Sequence, residues 1–62
     1  MKVEFDGKVH DFERRMSVQR LLETLSLSRE AHLVVSNGTL LTEDCAIGPG
    51  DDVKIIRVIS GG

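Results

Sequence analysis

Residues 48–58, GPGDDVKIIRV, decide the fold of this chain. The Gly-Pro-Gly-Asp at its start is a strong turn signal, and the run of β-branched residues behind it predicts a strand over Asp52–Ile59. Apolar side chains fall on both faces of this strand: Val53 and Ile55 on one, Ile56 and Val58 on the other. Apolar residues on both faces are typical of a central strand rather than an edge strand. Every other element must therefore be arranged around it.

The amino-terminal segment predicts a β-hairpin. Met1, Val3 and Phe5 alternate with polar residues, which places three apolar side chains on one face of a strand. Asp6-Gly7 favours the positive φ angles of a tight turn, so we expect residues 8–13 to return as the antiparallel partner. The two apolar residues of that return, Val9 and Phe12, are out of phase, which a bulge or an edge position would explain.

An amphipathic helix follows. Ser17 is a candidate N-cap, and the apolar residues after it have the spacing of one helical face: Val18, Leu21, Leu22 and Leu25. The polar residues between them form the outer face: Gln19, Arg20, Glu23 and Thr24. A helix this short is not stable alone, so packing against a sheet must hold it in place.

A second hairpin precedes the last strand. His32–Ser36 reads as a strand, and Asn37-Gly38 is a turn signal that leads into Leu40 and Leu41. We expect Thr42–Ala46 to form an irregular turn. Asp51 would then shape the turn before the last strand through its side-chain oxygen.

Two hairpins, one helix and a buried last strand give the order ββαβββ, or a close variant. The α+β fold that covers one face of a small mixed sheet with one helix is the β-grasp, or ubiquitin-like, fold. Its first and last strands would lie parallel and adjacent at the sheet centre. We expect residues 1–59 to form this domain and residues 60–62 to form a flexible carboxy-terminal tail.

Length, charge and cysteine content argue against several classes of function. Sixty-two residues suffice for one small domain, with little room for a deep pocket. The net charge is −2, with eight basic against ten acidic residues and no basic block, which argues against nucleic-acid binding. No apolar run reaches the roughly 18 residues of a membrane span, and we expect a cytoplasmic protein. The single cysteine, Cys45, excludes an internal disulfide.

The last two residues of the sequence, Gly61 and Gly62, follow the predicted last strand directly. A terminal Gly-Gly on a slender stalk would present its own carboxylate as a reactive group. Glycine lacks a Cβ, so such a tail can thread a narrow channel in a partner enzyme. We therefore expect the chemistry at the Gly62 carboxylate rather than at any side chain.

Several motifs in order resemble one family. They are the initial hairpin, SVQRLLETL at 17–25, LVVSNGTLL at 33–41, the Gly-Asp turn and the terminal Gly-Gly. With this arrangement the chain resembles the ubiquitin-like sulfur-carrier proteins of the ThiS/MoaD family. The likeness extends over the whole chain.

The resemblance implies a carrier that is acted on by partners and is not itself an enzyme. A ThiF/MoeB-like adenylating enzyme would join the Gly62 carboxylate to AMP, and a persulfide from a cysteine desulfurase system would convert it to a thiocarboxylate. The acceptor would be a thiazole synthase or a molybdopterin synthase large subunit, with tRNA thiolation as an alternative destination. The short length favours the thiamine branch. The resemblance implies no bound cofactor, ATP used only through the partner, and a monomer when free.

One helix cannot cover both faces of the sheet, so we expect an exposed patch around Ile56, Arg57 and Val58, with Lys54 nearby. Exposed apolar patches often mark partner sites. The alternative, burial by loops or by the second hairpin, is equally open at this point. Ser60 is interpreted as a small residue that fits the mouth of a partner channel.

The remaining chemically capable residues have simpler interpretations. Cys45 lacks a nearby His or a second Cys and reads as a small, partly buried apolar residue. His10 and His32 lack metal-ligand spacing and read as surface or strand-edge residues, so no metal is expected. The adjacent acidic pairs, at 43–44 and 51–52, read as solvated turn residues rather than a catalytic dyad.

Two other functions fit the same sequence. An activated Gly62 carboxylate could be transferred to lysines of other proteins, which would make the chain a ubiquitin-like modifier. Alternatively, the chain is a small protein-binding module whose Gly-Gly is incidental. An enzyme has the least support, because the sequence shows no nucleophile and base pair, metal set or cofactor loop.

Overall fold

The computed structural model of the chain describes residues 1–58. Within them, five strands form a mixed sheet, two short strands form a second sheet, and one helix packs on the larger sheet. The elements are β1 (Lys2–Phe5), β2 (Lys8–Asp11), β3 (Met16–Ser17), α1 (Val18–Thr24), β4 (His32–Ser36), β5 (Thr39–Leu41), β6 (Ala46–Ile47) and β7 (Asp52–Arg57).

The large sheet has the order β2-β1-β7-β4-β5, with β7 at its centre. β1 and β7 run parallel, with Val3 opposite Val53, while β4 lies antiparallel to β7 on its other side, with Val34 opposite Ile55. The remaining pairs are antiparallel hairpins. This is the predicted β-grasp topology, with the first and last strands adjacent at the centre and one helix on one face.

Both hairpin turns form as the sequence predicts. Asp6 and Gly7 have φ angles of 54° and 75°, and Asn37 and Gly38 have φ angles of 52° and 79°. Two successive left-handed residues define the turn whose twist matches that of the paired strands. The first hairpin also settles the phase of β2, an edge strand on which Val9 is 64% exposed.

The start of α1 ties the helix to the segment before β6. The Ser17 hydroxyl accepts a hydrogen bond from the Arg20 amide at 3.1 Å, as expected of the predicted N-cap. The two amides that precede Arg20 bond outside the helix: Val18 donates to the Cys45 carbonyl and Gln19 to the Glu43 carbonyl. Three amides that a helix start leaves without intrahelical partners are thus satisfied.

The end of α1 is a Schellman motif built without glycine. The Ser26 amide donates to the Glu23 carbonyl and the Leu27 amide to the Leu22 carbonyl. Ser26 adopts a φ of 58°, in the left-handed region where this motif usually places glycine. The motif turns Leu27 back against the core.

The core lies between α1 and one face of the large sheet. Its buried residues are Met1, Val3, Val18, Leu21, Leu22, Val34, Ile47, Val53 and Ile55. The predicted outer face of the helix is exposed, and none of the buried residues in the described chain is polar or charged. The core of the described chain is therefore packed by apolar side chains.

The structure corrects three boundaries. Ala46, predicted within an irregular turn, begins β6 and pairs with Ser17, while the next residue, Ile47, is almost fully buried. A two-residue strand has no periodicity for sequence to show. The return strand predicted to residue 13 ends at Asp11, and the strand predicted over Asp52–Ile59 ends at Arg57. Ile59 and the predicted tail, residues 60–62, lie outside the described residues.

Leu21→Ala tests the helix-to-sheet core. Leu21 is fully buried, so its truncation should lower the free energy of unfolding by about 2 to 5 kcal/mol. Leu40→Ala is the matched control, because Leu40 is 58% exposed and should change stability by only about 0.5 kcal/mol. Urea denaturation monitored by circular dichroism measures both. Equal decreases in stability would contradict this packing.

Ser26→Gly tests the helix terminus. A residue with a Cβ in the left-handed region costs about 1 to 2 kcal/mol, and replacement by glycine removes this cost. Glycine also has greater freedom in the unfolded state, which offsets about 0.5 to 1 kcal/mol of the resulting gain in stability. The variant should be more stable by about 0.5 to 1 kcal/mol. Ser28→Gly is the control and should lose stability, since Ser28 has no positive φ. Destabilisation by Ser26→Gly would reject this account of the terminus.

Candidate functional site

The candidate site lies at the carboxyl end of β7, where the described chain stops. The last register pair between β7 and β4 joins Arg57 to His32. One residue further, the Val58 amide donates to the Ala31 carbonyl at 2.7 Å. The backbone is therefore anchored up to Val58. The predicted site residues Ser60, Gly61 and Gly62 lie outside the described residues.

Ile56 lies on the side of the large sheet opposite α1, called here the open face. Its neighbours Ile55 and Arg57 alternate to the helix side, and its cross-strand partner on the open face is Leu33. Ile56 is 43% exposed and Leu33 is 42% exposed. The predicted apolar exposure at Ile56 is thus present, and Leu33 extends it onto β4.

Val58 is also exposed, at 36% of its surface, although its amide is held by Ala31. No residue of the second hairpin buries Ile56 or Val58, so the alternative of burial by loops does not hold within residues 1–58. The open face carries further exposed apolar side chains, Val9 on β2 and Leu40 on β5. These two side chains lie in the cross-strand row of Glu4 and Lys54, apart from the pair of Ile56 and Leu33.

Arg57 lies on the other side of the sheet from Ile56. It shares the parity of Val53 and Ile55, whose side chains are buried beneath α1. Its guanidinium carbon is 5.6 Å from the centroid of the Phe5 ring. The residues predicted to form one partner-binding patch are therefore divided between two faces at the end of β7.

One ion pair on the open face joins β1 to β7. Lys54 Nζ lies 3.7 Å from Glu4 Oε2, and both side chains are more than half exposed. An exposed pair of this kind contributes about 0 to 1 kcal/mol to stability. It leaves the region around Ile56 and Leu33 predominantly apolar.

Cys45, His10 and His32 lie where the sequence predicts, in the protein's packing and at strand positions rather than in a reactive cluster. Cys45 is half-buried against the core, with the Thr42 hydroxyl 3.3 Å from its sulfur, as its interpretation from sequence expects. His10 lies on the edge strand β2. His32 lies at the end of β4, where its Nδ1 donates to the Ser28 carbonyl at 2.7 Å.

The acidic pairs act in turns. Asp51 accepts a hydrogen bond from the Gly48 amide at 2.8 Å, which confirms its predicted part in the turn before β7. The Thr42 hydroxyl donates to Asp44 and lowers the pKa of that exposed carboxyl, with help from a backbone hydrogen bond. Glu43 forms an ion pair with Arg29. Glu43, Asp44 and Asp51 thus have separate structural contacts and do not form a catalytic pair.

Neither a metal centre nor a membrane-spanning helix is present within residues 1–58. No cluster of three or more His, Cys, Asp or Glu side chains there is arranged to hold a metal ion. In the same part of the chain, the helix is too short to cross a bilayer.

Sequence reasoning missed two residues of this region. Leu33 shares a strand with buried Val34, and the alternation of that strand would have placed Leu33 on the opposite face. Phe5 was assigned to the apolar face of β1, which the structure confirms. Its contact with Arg57 depends on the placement of β1 beside β7, for which no local signal exists.

Comparisons with known proteins extend over the whole chain. The model of the ThiS family matches residues 2–62. The fold is similar to the crystal structure of the thiamine biosynthesis protein ThiS from Geobacter metallireducens, with a TM-score of 0.69, 25% sequence identity and coverage of 100% of both chains. No curated protein matches the chain in sequence. The family resemblance read from the order of the motifs is thereby confirmed.

Proposed function

Because this chain belongs to the ThiS family, we propose that it is a sulfur carrier in thiamine biosynthesis and that the Gly62 carboxylate carries the sulfur. The observation that supports this most directly is that the family match includes the terminal Gly-Gly. The anchored β7 that leads to it gives a second, physical support. The carrier makes no bonds itself and is a substrate of partner enzymes.

The proposed cycle begins with adenylation. A carboxylate oxygen of Gly62 attacks the α-phosphate of ATP in a ThiF/MoeB-like enzyme, and pyrophosphate leaves. The product is an acyl adenylate, in which AMP replaces a poor oxide leaving group with a good one. ATP is thus consumed through the partner and requires no site on the carrier.

Sulfur transfer follows by attack on the activated carbonyl. The terminal sulfur of a persulfide, supplied by a cysteine desulfurase system, attacks the Gly62 carbonyl carbon and displaces AMP to give an acyl disulfide. A thiol then attacks the cysteine sulfur of this acyl disulfide, which breaks the S–S bond, releases the thiocarboxylate and leaves a disulfide between the thiol and the former persulfide cysteine. The two electrons for this cleavage come from the thiol. The thiocarboxylate would pass its sulfur to a thiazole synthase.

The geometry of the scaffold suits this use. The backbone is held up to the Val58 amide, and four residues follow it in the sequence. Four residues reach at most about 13 to 14 Å when fully extended. A partner active site must therefore lie within that distance of the end of β7. A partner that binds ATP within this distance has to dock on the surface around the end of β7.

The open face at Ile56 and Leu33 is the surface that we assign to this docking. The two side chains are cross-strand partners, and each exposes more than two fifths of its surface. Apolar exposure beside the end of β7 provides burial energy where the tail must enter the partner. Val58, two residues before the predicted tail, adds a further exposed apolar side chain to the same site.

Intact mass spectrometry tests the proposed chemistry. Incubation with ATP, the adenylating enzyme, a persulfide donor and a thiol should raise the mass of the chain by about 16 Da, the sulfur-for-oxygen difference that group transfer at the carboxylate predicts. The chain lacking Gly62 should show no gain. A gain in both would place the sulfur elsewhere, and ladders of larger conjugates would identify a protein modifier instead.

Ile56→Ser tests the docking surface. The variant should raise the KM of the carrier in ATP–pyrophosphate exchange by at least about fivefold, because it removes an apolar side chain from the centre of the interface. Val9→Ser is the matched control, since Val9 is 64% exposed on the same face but lies two strands from β7. An unchanged KM for Ile56→Ser, or equal effects of both variants, would reject this surface.

A further inference from the structure

The helix side of the sheet carries a second, charged feature at the end of β7. The Phe5 ring lies there among three side chains that contain nitrogen: Lys8, His32 and Arg57. We call these four residues the Phe5 platform. Lys8 is the cross-strand partner of Phe5, and His32 is the cross-strand partner of Arg57, so the platform joins β2, β1, β7 and β4.

Phe5 contacts two members of the platform directly. The Arg57 guanidinium carbon lies 5.6 Å from the ring centroid, within the range of a cation–π interaction. The His32 ring meets the Phe5 ring at a centroid distance of 5.4 Å and an interplanar angle of 68°. His32 is itself fixed by its Nδ1 hydrogen bond to Ser28. The Phe5 ring is therefore contacted from both β7 and β4, and it lies where it can orient the Arg57 side chain.

The two permanent cations of the platform have no acidic partner among the described residues. No carboxylate of residues 1–58 comes within 4 Å of a side-chain nitrogen of Arg57 or Lys8. Of the six other lysines and arginines, Arg20, Arg29 and Lys54 do have such partners within residues 1–58, whereas Lys2, Arg14 and Arg15 do not. On a chain of net charge −2, the platform thus concentrates unpaired positive charge beside the strand end.

An exposed guanidinium held on a ring is suited to bind a carboxylate. Arginine presents its donors in a planar fork that matches a carboxylate, and stacking on an aromatic ring limits the conformations that the side chain must lose on binding. Arg57 is exposed, whereas Phe5 is half-buried against the core. The ring can therefore orient the guanidinium without blocking its outer edge.

We infer that Arg57, oriented by Phe5 and supported by Lys8, binds an acidic segment of the adenylating enzyme and sets the orientation in which the tail enters it. The inference rests on the proposed function and adds the chemistry of the partner surface. Phe5 is here a positioning residue that acts through Arg57. The open face supplies apolar contact, and the platform supplies charge on the opposite side of the same strand end.

The test is ATP–pyrophosphate exchange with the purified ThiF/MoeB-like adenylating enzyme, with KM and kcat measured for the full-length carrier. Arg57→Gln should raise KM about tenfold with kcat unchanged, as expected when an interface is deprived of one charged pair. Phe5→Leu should raise KM about two- to fivefold, because it removes a cation–π interaction. Phe5→Tyr keeps an aromatic ring and should have the KM of the wild type. Lys8→Gln should raise KM, whereas Lys2→Gln, at an exposed lysine of the open face, should not.

A double-mutant cycle separates positioning from a structural effect. In the Arg57→Gln background, Phe5→Leu should raise KM no further, and added salt should raise the KM of the wild type more than that of Arg57→Gln. Circular dichroism checks that each variant is folded, and Phe5→Tyr supplies the test if Phe5→Leu does not fold. In that case, wild-type KM in Phe5→Tyr together with a raised KM in Arg57→Gln supports the platform.

The outcomes distinguish the two proposals. Normal exchange with an unchanged KM for Arg57→Gln overturns the platform and leaves the sulfur carrier intact. An effect of Phe5→Leu that persists in the Arg57→Gln background overturns the positioning by Phe5. Absence of exchange with the wild-type chain overturns the proposed function, and the platform with it.

Discussion

The parallel pairing of β1 with β7 is the contact on which the rest of the structure depends. It brings Val3 beside Val53, residues from opposite ends of the described chain, and buries both. Parallel neighbours cannot be joined by a tight turn, so everything between them forms one long connection. That connection includes α1, which covers the side of the sheet where these two valines lie. Closing so large a loop is entropically costly, and apolar burial must offset it.

Placing β7 at the centre also determines what remains exposed. A strand with apolar residues on both faces needs cover on both, yet α1 has seven residues and lies on one face. Val53 and Ile55 take the helix side, which leaves Ile56 on the open face together with Leu33. The exposed apolar surface beside the tail is therefore a consequence of the topology. The same alternation sends Arg57 to the other side, where it meets Phe5.

Local signals in the sequence were sufficient for the elements that local chemistry controls. Asp6-Gly7 and Asn37-Gly38 predicted both hairpins because these residue types favour positive φ angles, which the structure shows at all four positions. Ser17 predicted the helix start because its hydroxyl can accept a hydrogen bond from an amide of the first turn, as it does from Arg20. The β3–β6 pair escaped prediction, since two residues carry no period and their pairing depends on a contact between distant segments. The terminal Gly-Gly by itself predicted a reactive Gly62 carboxylate, whereas its sulfur-carrying role came from family resemblance.

The candidate site was predictable in part. Exposure at Ile56 followed from the apolar pattern of β7 and the presence of one predicted helix. The separation of Ile56 from Arg57 was implicit in strand alternation, which the single predicted patch disregarded. The contact between Arg57 and Phe5 required knowledge of which strand lies beside β7. Register between strands distant in sequence is a property of the assembled sheet, and no short motif encodes it.

The central position of β7 has a mechanical consequence. A pulling force applied at Val58 along the strand axis acts on the ladders to β1 and β4 at the same time. The hydrogen bonds of both ladders lie across that axis, so the force shears them together instead of opening them one after another. A partner that grips and draws the chain by this end therefore meets a domain that resists extension collectively.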